Sequence, residues 1–259
     1  MKVVIFAGGL GTRLSEETSV RPKPMVEIGG KPILWHIMKI YSHYGYNDFI
    51  VCLGYKGYVI KEYFINYFLY NSDITVQLHD NKLDIHYANT ESFKVTLVET
   101  GLETNTAGRL QKIKPYVENE TFMLTYGDGV ADINIQELVS FHKKQDKLAT
   151  VTSIVLPSRY GKIKTDENNI VTSFEEKPKE EGYWINGGFF VLNPAIFNYL
   201  EGDMETVQWE KKPLTAIAND RQLSAYKHHG FWKCMDALRD KMELEDLWND
   251  GNAPWKVWT

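Results

Sequence analysis

The stretch KVVIFAGGLGTRL at residues 2–14 carries the clearest structural pattern in the sequence. Residues 2–6 form a short apolar run rich in β-branched side chains, which predicts a buried strand. The run leads into Ala7, Gly8 and Gly9, and glycine permits turns and close approaches that other residues hinder. The stretch therefore predicts a strand that ends in a glycine loop.

Predicted strands and helices alternate outward from this stretch. Further strands are predicted at 49–53, 74–78, 95–98, 122–125 and 149–155, and helices at 33–41, 60–68, 109–114 and 135–142. Pro32 suits the first turn of a helix because its missing N–H has no partner there, and Pro115 is expected to stop the helix that begins at Arg109. The alternation favours an α/β fold built on a mostly parallel, doubly wound sheet flanked by helices.

The second half of the chain has a different pattern. Short strands are predicted at 161–164, 170–174 and 189–192 with few helices between them, and we expect them to add mixed or antiparallel pairs to the same sheet. A helix at 214–219, a strand at 223–226 and a helix at 237–248 follow. Because the sequence shows neither a repeat nor a linker, residues 1–259 are interpreted as one elaborated domain. A division into two domains would fall near residue 150.

The composition is that of an ordinary globular protein, with 43% hydrophobic and 24% charged residues in a chain of 259. The net charge of −5 argues against a nucleic-acid partner, because nucleic-acid-binding proteins are usually basic. No apolar run approaches the ~20 residues that a membrane span needs, and we see no export signal. Cys52 and Cys234 show no metal-ligand spacing and exclude a disulfide scaffold, so a cytoplasmic protein is expected.

Several features predict that the glycine loop binds an anion. Backbone N–H groups in such a loop point at an oxyanion such as a triphosphate, and open parallel sheets bind ligands at that edge. Arg13 adds a planar fork suited to phosphate, and Lys23 is framed by two prolines that restrict the backbone around it. The loop does not match the sequence of a P-loop. A dinucleotide-binding motif is disfavoured too, because it would open a helix and the two prolines around Lys23 oppose one. A plain glycine turn is the remaining alternative.

Two aspartates are candidates for holding a metal ion. Asp128 follows the predicted strand at 122–125 and is flanked by Gly127 and Gly129, a place where a carboxylate can meet Mg²⁺ carrying phosphates. A solvent-exposed turn explains the same three residues equally well. Asp236 precedes the predicted helix at 237–248, and from the residues alone a helix N-cap is the favoured interpretation.

The motif at residues 8–14, followed by Pro22, Lys23 and Pro24, resembles the N-terminal signature of the sugar-1-phosphate nucleotidylyltransferases. That signature reads Gly-Gly-x-Gly-Thr-Arg-Leu and then Pro-Lys-Pro, and the sequence matches it without departure. Within this family the chain is most similar to the glucose-1-phosphate cytidylyltransferases. The stretches that carry this similarity are GGKPILWHI at 29–37, GYKGY at 54–58, WINGGFFV at 184–191 and APWK at 253–256.

The resemblance covers most of the chain and implies a Rossmann-like nucleotide-diphospho-sugar transferase fold, with a nucleotide-binding half at about 1–150 and a sugar-binding half at about 151–259. It implies that CTP and α-D-glucose 1-phosphate react to CDP-glucose and pyrophosphate with Mg²⁺ as cofactor, for the deoxysugars of bacterial surface polysaccharide such as O-antigen. It also implies a homo-oligomer, and a hexamer is compatible with the family. The same chemistry with UTP or dTTP, and a non-catalytic regulatory subunit of the same fold, are the alternatives.

The resemblance further implies roles for individual residues. Arg13, Lys23 and Asp128 would be catalytic, and Asp128 and Asp236 would hold the metal, with Asp240 as the rival of Asp236. The nucleotide would contact Phe6, Ala7, Gly8, Gly9, Leu10, Gly11, Thr12, Arg13, Lys23, Thr104, Gly108 and Arg109. The sugar phosphate would contact Gly129, Glu176, Lys177, Asn186 and Gly187. Asn105 stands where related enzymes have a glycine, which leaves its part in base recognition open.

Overall fold

The structure, a computed structural model, describes residues 1–88, 90–155, 162–175 and 183–259. The strand predicted at the start of the chain is present as β1 (Val3–Phe6), and all 4 of its residues are buried. Because side chains alternate along a strand, Val3 and Ile5 join one hydrophobic cluster and Val4 and Phe6 join another. β1 is therefore covered on both faces, which explains its uninterrupted apolar run.

Strands and helices follow one another along the described chain. The other strands are β2 (Glu27–Ile28), β3 (Lys31–Pro32), β4 (Asp48–Leu53), β5 (Ser72–Gln77), β6 (Lys82–Ala88), β7 (Lys94–Glu99), β8 (Phe122–Tyr126), β9 (Gly129–Ala131), β10 (Ala149–Val155), β11 (Lys162–Thr165), β12 (Val171–Glu175), β13 (Trp184–Leu192), β14 (Leu223–His228) and β15 (Trp232–Cys234). The helices are α1 (Ser15–Thr18), α2 (Ile33–His43), α3 (Gly57–Tyr70), α4 (Thr106–Lys112), α5 (Lys114–Val117), α6 (Ile135–Gln145), α7 (Lys212–Asn219) and α8 (Leu238–Asn249). Short 3₁₀ turns lie at Thr12–Leu14, Lys23–Met25 and Pro194–Tyr199.

Within the described ranges the largest sheet has 7 strands, in the order β14-β10-β13-β8-β1-β4-β7. All of its strands run parallel to one another except β13, which is antiparallel to both of its neighbours. Helices α2, α6 and α8 contribute to the hydrophobic cluster on one face of the sheet, and α4 and α7 contribute to the cluster on the other. This mixed, mostly parallel sheet between helices confirms the predicted α/β fold.

The short strands of the second half differ in part from the prediction. β13 joins the main sheet as expected, but β11 and β12 pair only with each other among the described residues. In the turn between them, Asp166 Oδ1 accepts hydrogen bonds from the N–H groups of Asn168 and Ile170, both at 2.9 Å. Such a tight turn folds the two strands onto each other as a local hairpin, so the expectation that they join the main sheet was wrong.

Two further differences concern the first half. β6 was not predicted, although its sequence KLDIHYA alternates polar and apolar residues, which is the signal for a half-buried strand. It pairs with β5 in a separate hairpin. Pro115 does not stop the helix before it, because α4 ends at Lys112 and Pro115 lies in the first turn of α5. Proline is tolerated there because the first turn of a helix has N–H groups without intrahelical acceptors.

The parallel strands β1, β4 and β8 end at one edge of the sheet. Phe6, the last residue of β1, pairs with Cys52 on one side and with Tyr126 on the other. The antiparallel β13 reaches the same edge with its first residues, since Phe189 pairs with Thr125 near the end of β8. The loops after β1, β4 and β8 and the first residues of β13 therefore meet where open α/β sheets bind their ligands.

Among the described residues, no helix combines the length and the apolar character needed to cross a membrane. Cys52 and Cys234 are free thiols, the first buried and the second partly exposed. The expectation of a cytoplasmic location stays a prediction.

The last helix, α8, packs on the turn between β2 and β3. The N–H of Gly29 donates to both carboxylate oxygens of Glu245 at 3.2 Å, and the indole of Trp248 lies against the Gly29 backbone. Gly29 and Gly30 both have positive φ angles, of 59° and 72°. A side chain at Gly29 would overlap the indole, whereas no atom lies within 4 Å of the place where a Cβ on Gly30 would stand.

We expect Gly29→Ala to lower the free energy of unfolding more than Gly30→Ala does. Alanine in the left-handed region costs about 1–2 kcal/mol at either position. Overpacking against Trp248 adds about 1–3 kcal/mol at Gly29 alone. Urea unfolding followed by tryptophan fluorescence measures both values, and equal losses would contradict the packing of α8 on this turn.

Candidate active site

The glycine loop follows directly on β1. Within the described chain, the N–H groups of Gly9, Leu10 and Gly11 donate to no acceptor. Gly11 is left-handed with φ 64°, and its carbonyl accepts from the N–H of Leu14 and the hydroxyl of Thr18, both at 3.0 Å. The loop thus presents backbone donors of the kind that bind phosphate oxygens.

The guanidinium of Arg109 packs against this loop. It donates to the carbonyls of Gly8 and Leu53 at 3.0 and 2.9 Å, and to the hydroxyl of Thr100 at 2.6 Å. Burial lowers the pKa of Arg109 below its usual value. A side chain at Gly8 would overlap the guanidinium, so the close approach requires glycine there. Arg109 therefore positions the loop, a role that the sequence did not reveal, and its predicted contact with the nucleotide stays a prediction.

Lys23 lies between two carboxylates from distant parts of the chain. Its ammonium donates to Asp128 Oδ2 at 2.7 Å and to Asp236 Oδ1 at 2.8 Å. Arg13 donates to the other carboxylate oxygen of Asp236. Burial lowers the pKa of Lys23, but the charge of Asp128 and the hydrogen bonds to both carboxylates outweigh burial and raise it above its usual value. The structure therefore brings together the residues predicted to be catalytic and those predicted to hold the metal.

Strand pairing explains why the two aspartates meet. Asp128 stands immediately before β9, and Asp236 follows shortly after β15. These strands pair antiparallel with Gly129 opposite Cys234, and the N–H of Met235 donates to the carbonyl of Asp128 at 2.8 Å. The convergence of the carboxylates is thus a product of this small two-stranded sheet.

The N-cap of helix α8 is Ala237 and not Asp236, and Asp240 in the first turn binds the backbone at the start of the helix. Asp240 Oδ2 accepts from the N–H groups of Asp236 and Ala237 at 3.1 and 2.9 Å, and its other carboxylate oxygen pairs with Lys233 at 3.0 Å. The interpretation of Asp236 as the helix cap, which the residues alone favoured, was therefore wrong. Asp240 is engaged away from Asp128, which weakens it as a rival in the metal site.

Cys234 also belongs to this charged cluster, although the sequence did not predict it there. Its sulfur and the carboxylate oxygens of Asp128 and Asp236 all lie within 4.8 Å of one another. Burial, and next the charge of Asp128, raise the pKa of Cys234 far above its usual value, so it is a neutral thiol here. A single cysteine without a spaced partner gives no signal in the sequence, and only its place opposite Gly129 brings it to the site.

The oxygen donors of this cluster suit a hard divalent cation. Asp128 and Asp236 already converge on one cationic group, the ammonium of Lys23. Mg²⁺ and similar ions prefer carboxylate oxygens as protein ligands and fill their remaining positions with water and phosphate. The residues present therefore fit the metal that the resemblance implies.

A cavity of about 320 Å³ opens between the glycine loop and the charged cluster. Predicted site residues in its walls are Phe6, Ala7, Gly8, Gly9, Gly11, Thr12, Arg13, Lys23, Thr104, Arg109, Asp128 and Asp236, and residues not predicted are Pro24, Asn105, Thr106, Tyr126 and Gly127. Leu10 is 48% exposed and does not line it. Gly108 does not line it either: a Cβ there would lie 2.9 Å from the Met204 carbonyl, so Gly108 allows close packing, and its predicted nucleotide contact stays a prediction.

A smaller cavity of about 50 Å³ adjoins the first. Tyr126 and Asp128 line both cavities. The predicted sugar-phosphate contacts in the walls of the smaller one are Gly129, Asn186 and Gly187. Glu176 and Lys177, the other two predicted contacts, lie outside the described residues.

We expect Lys23→Met to raise the affinity of the nucleotide-free protein for Mn²⁺, because the ammonium and the metal compete for the same carboxylates. A hydrogen bond to a charged group contributes about 1.5–3 kcal/mol, so the gain should be roughly 10-fold or more. Electron paramagnetic resonance of free Mn²⁺ measures the affinity directly. Lys143→Met, at an exposed lysine of α6, is the matched control. An unchanged affinity in Lys23→Met would place the metal elsewhere.

Residues 2–250 of the chain match the family described as nucleotidyl transferase. The chain is 55% identical over 259 residues to a glucose-1-phosphate cytidylyltransferase of Salmonella typhi, and the match covers 100% of both proteins. It is 30% identical over 247 residues to a mannose-1-phosphate guanyltransferase of Saccharomyces cerevisiae, which covers 93% of the chain and 62% of the yeast protein.

Solved structures show the same fold at lower identity. A UDP-glucose pyrophosphorylase in complex with UDP-glucose matches with a TM-score of 0.67 at 19% identity, over 96% of this chain and 98% of that one. HddC from Yersinia pseudotuberculosis matches with a TM-score of 0.68 at 22% identity, over 95% of this chain and 99% of that one. These likenesses agree with the mixed sheet between helices.

Proposed function

Because the chain belongs to the nucleotidyl transferase family, we propose that it transfers the cytidylyl group of CTP to α-D-glucose 1-phosphate, with CDP-glucose and pyrophosphate as products. The 55% identity over the full length of the cytidylyltransferase from Salmonella typhi supports this choice of substrates. The structural observation that carries it is the meeting of Lys23 with two carboxylates beside a loop whose N–H groups have no acceptor among the described residues. Transfer of a phosphoryl-type group depends mainly on such positioning and charge neutralisation.

In this proposal the glycine loop binds the β- and γ-phosphates of CTP. The N–H groups of residues 9–11 donate to phosphate oxygens, and Arg13 adds a planar fork of donors. Lys23 neutralises the negative charge that develops at the α-phosphate during transfer. To reach the phosphates, Arg13 and Lys23 leave the carboxylates that they contact in this structure.

The sugar phosphate occupies the side of the smaller cavity. Its phosphate oxygen attacks the α-phosphorus of CTP in line, and pyrophosphate leaves on the opposite side. The protein forms no covalent bond to substrate, so its residues act by holding the two reactants at the right distance. We propose that Asn186 and the backbone at Gly187 bind sugar hydroxyls, and the roles of Glu176 and Lys177 stay predictions.

Enzymes of this family use a divalent metal ion, and we propose that here it is Mg²⁺. Asp128 and Asp236 would hold it. Bound there, it would supply positive charge that neutralises the phosphates and stabilises the leaving group.

We also propose that residues 1–259 form one nucleotidylyltransferase domain. β8 from the first half and β13 from the second half are direct neighbours in the main sheet. The charged cluster likewise combines Asp128 from the first half with Asp236 from the second. Neither half has a complete site without the other.

We expect CTP to be preferred over UTP and dTTP, and ATP and GTP to be excluded by size. Cytosine offers an amine donor where uracil and thymine offer a carbonyl, and a buried group left unpaired costs ~1–3 kcal/mol, or roughly 5- to 150-fold in kcat/KM. Pyrophosphate release with glucose 1-phosphate and Mg²⁺ measures each value, and Asp128→Asn is the inactive control. Equal kcat/KM for CTP and UTP would contradict the choice of CTP and leave only a general sugar nucleotidylyltransferase activity. An absence of turnover with every triphosphate would favour the alternative of a non-catalytic regulatory subunit.

We propose that the chain forms a homo-oligomer through the hairpin of β5 and β6. Ile74 pairs with Ile85 and Val76 with Leu83 across the hairpin, and each of these side chains is between 41% and 53% exposed. A two-stranded hairpin is marginal in water unless its apolar face is covered. An apolar cavity of about 360 Å³ beside α3 and β7 offers a second surface of matching character, so another copy of this chain is the occupant that fits.

We expect Val76→Asp to convert the oligomer into smaller species, because a charge on the apolar face has no partner once the face is buried. Gln77→Glu on the opposite face, next to Lys82, is the matched control and should keep the oligomer. Sedimentation velocity gives both masses. A monomeric unsubstituted protein, or an unchanged mass in Val76→Asp, would contradict the proposed interface.

A further inference from the structure

Tyr126 stands between the two cavities. It is the last residue of β8 and lines both the larger cavity and the smaller one. On the sugar side, Asn186 Nδ2 donates to its hydroxyl at 3.4 Å. Gly188, with φ 82°, packs against its ring, and a Cβ there would lie 2.7 Å from Tyr126 Cδ2. The position of this ring therefore limits how the two substrates can approach each other.

Glu210 holds this ring by its hydroxyl. Tyr126 Oη donates to Glu210 Oε1 at 2.6 Å. A hydrogen bond from a hydroxyl to a carboxylate is roughly twice as strong as one between neutral groups.

The second oxygen of Glu210 is bound on the nucleotide side. Thr106 Oγ1 donates to Glu210 Oε2 at 2.7 Å, and the same hydroxyl accepts from the N–H of Trp209 at 2.8 Å. Thr106 is the first residue of α4 and lines the larger cavity. One carboxylate thus connects the segment that borders the nucleotide side to the ring that borders the sugar side.

We propose that Glu210 is a positioning residue for the transfer reaction. This proposal rests on the proposed function because it assumes two substrates that must meet. Within the described residues, Glu210 belongs to the walls of neither cavity. It acts through Tyr126 and Thr106, whose separation it fixes, and thereby sets the distance between the sugar phosphate and the α-phosphorus. A misplacement of about 1 Å in such a geometry can lower the rate ~100-fold.

The first experiment compares Glu210→Ala and Glu210→Gln with Gln208→Ala, a change at an exposed position of the same segment. With CTP, glucose 1-phosphate and Mg²⁺, kcat should fall roughly 10- to 100-fold in Glu210→Ala while KM for CTP changes little, because the glycine loop is untouched. Glu210→Gln keeps an oxygen for Tyr126 but presents an amide N–H₂ to Thr106. Its kcat should therefore lie between those of Glu210→Ala and the unsubstituted protein. Gln208→Ala should keep the kcat of the unsubstituted protein.

A double-substitution cycle separates positioning from general stability. Tyr126→Phe removes the hydroxyl and keeps the ring, so it should lower kcat as well. If Glu210 acts through Tyr126, the variant that carries both Glu210→Ala and Tyr126→Phe has a kcat no lower than that of Glu210→Ala alone. If the two residues act independently, the fold-losses in kcat multiply. Melting temperatures and calorimetric titration with CTP identify any variant that does not fold. Glu210→Gln and Tyr126→Phe preserve side-chain size and decide the question even where Glu210→Ala is unfolded.

Two results would overturn the role of Glu210 while leaving the proposed function intact. The first is that the kcat losses of the two single variants multiply in the double variant. The second is that Glu210→Gln and Glu210→Ala have the same kcat as Gln208→Ala. An unsubstituted protein that turns over none of the triphosphates would overturn the proposed function, and the role of Glu210 with it. The two failures are distinguished by the unsubstituted protein alone.

Discussion

The buried guanidinium of Arg109 ties together the ends of three parallel strands, and the site is built on that connection. Gly8 follows β1, Leu53 ends β4, and Thr100 follows β7. A buried cation is costly unless its N–H groups find acceptors, and here two peptide carbonyls and a hydroxyl supply them. The Gly8 carbonyl is engaged inward, while the N–H groups that follow it in the loop have no acceptor in the described chain. The positive charge beside the loop also favours an anionic ligand.

The charged cluster at the other wall of the cavity is balanced within itself. Arg13 and Lys23 contact Asp236, and Lys23 also contacts Asp128, so two cations face two carboxylates. In the proposed reaction Arg13 and Lys23 turn to the phosphates, and Asp128 and Asp236 would then be available to hold a divalent ion.

Much of the main sheet was predictable, because β1 and β4 show the apolar runs of strands covered on both faces and β10 is rich in β-branched residues. The prediction for 149–155 coincides with β10, and 49–53 differs from β4 by one residue. The pairing partners of the strands were not predictable in the same way. The sequence predicted all three of these segments as short strands, but β13 joins the main sheet while β11 and β12 form their own hairpin. Periodicity reports which side of a strand is buried, and it does not report which strand lies beside it.

The sequence by itself determined the α/β class, the glycine loop after the first strand, and the resemblance to the sugar nucleotidylyltransferases, since each of these is expressed in neighbouring residues. The tertiary structure decided which side chains meet. It placed Ala237 at the N-cap of α8 and turned Asp236 toward Lys23. It also brought Cys234 beside Asp128 and joined Glu210 to Tyr126 and Thr106. Backbone conformation at glycine and the burial of a strand depend on local residues, whereas the meeting of side chains far apart in the chain depends on strand pairing and packing that local patterns do not encode.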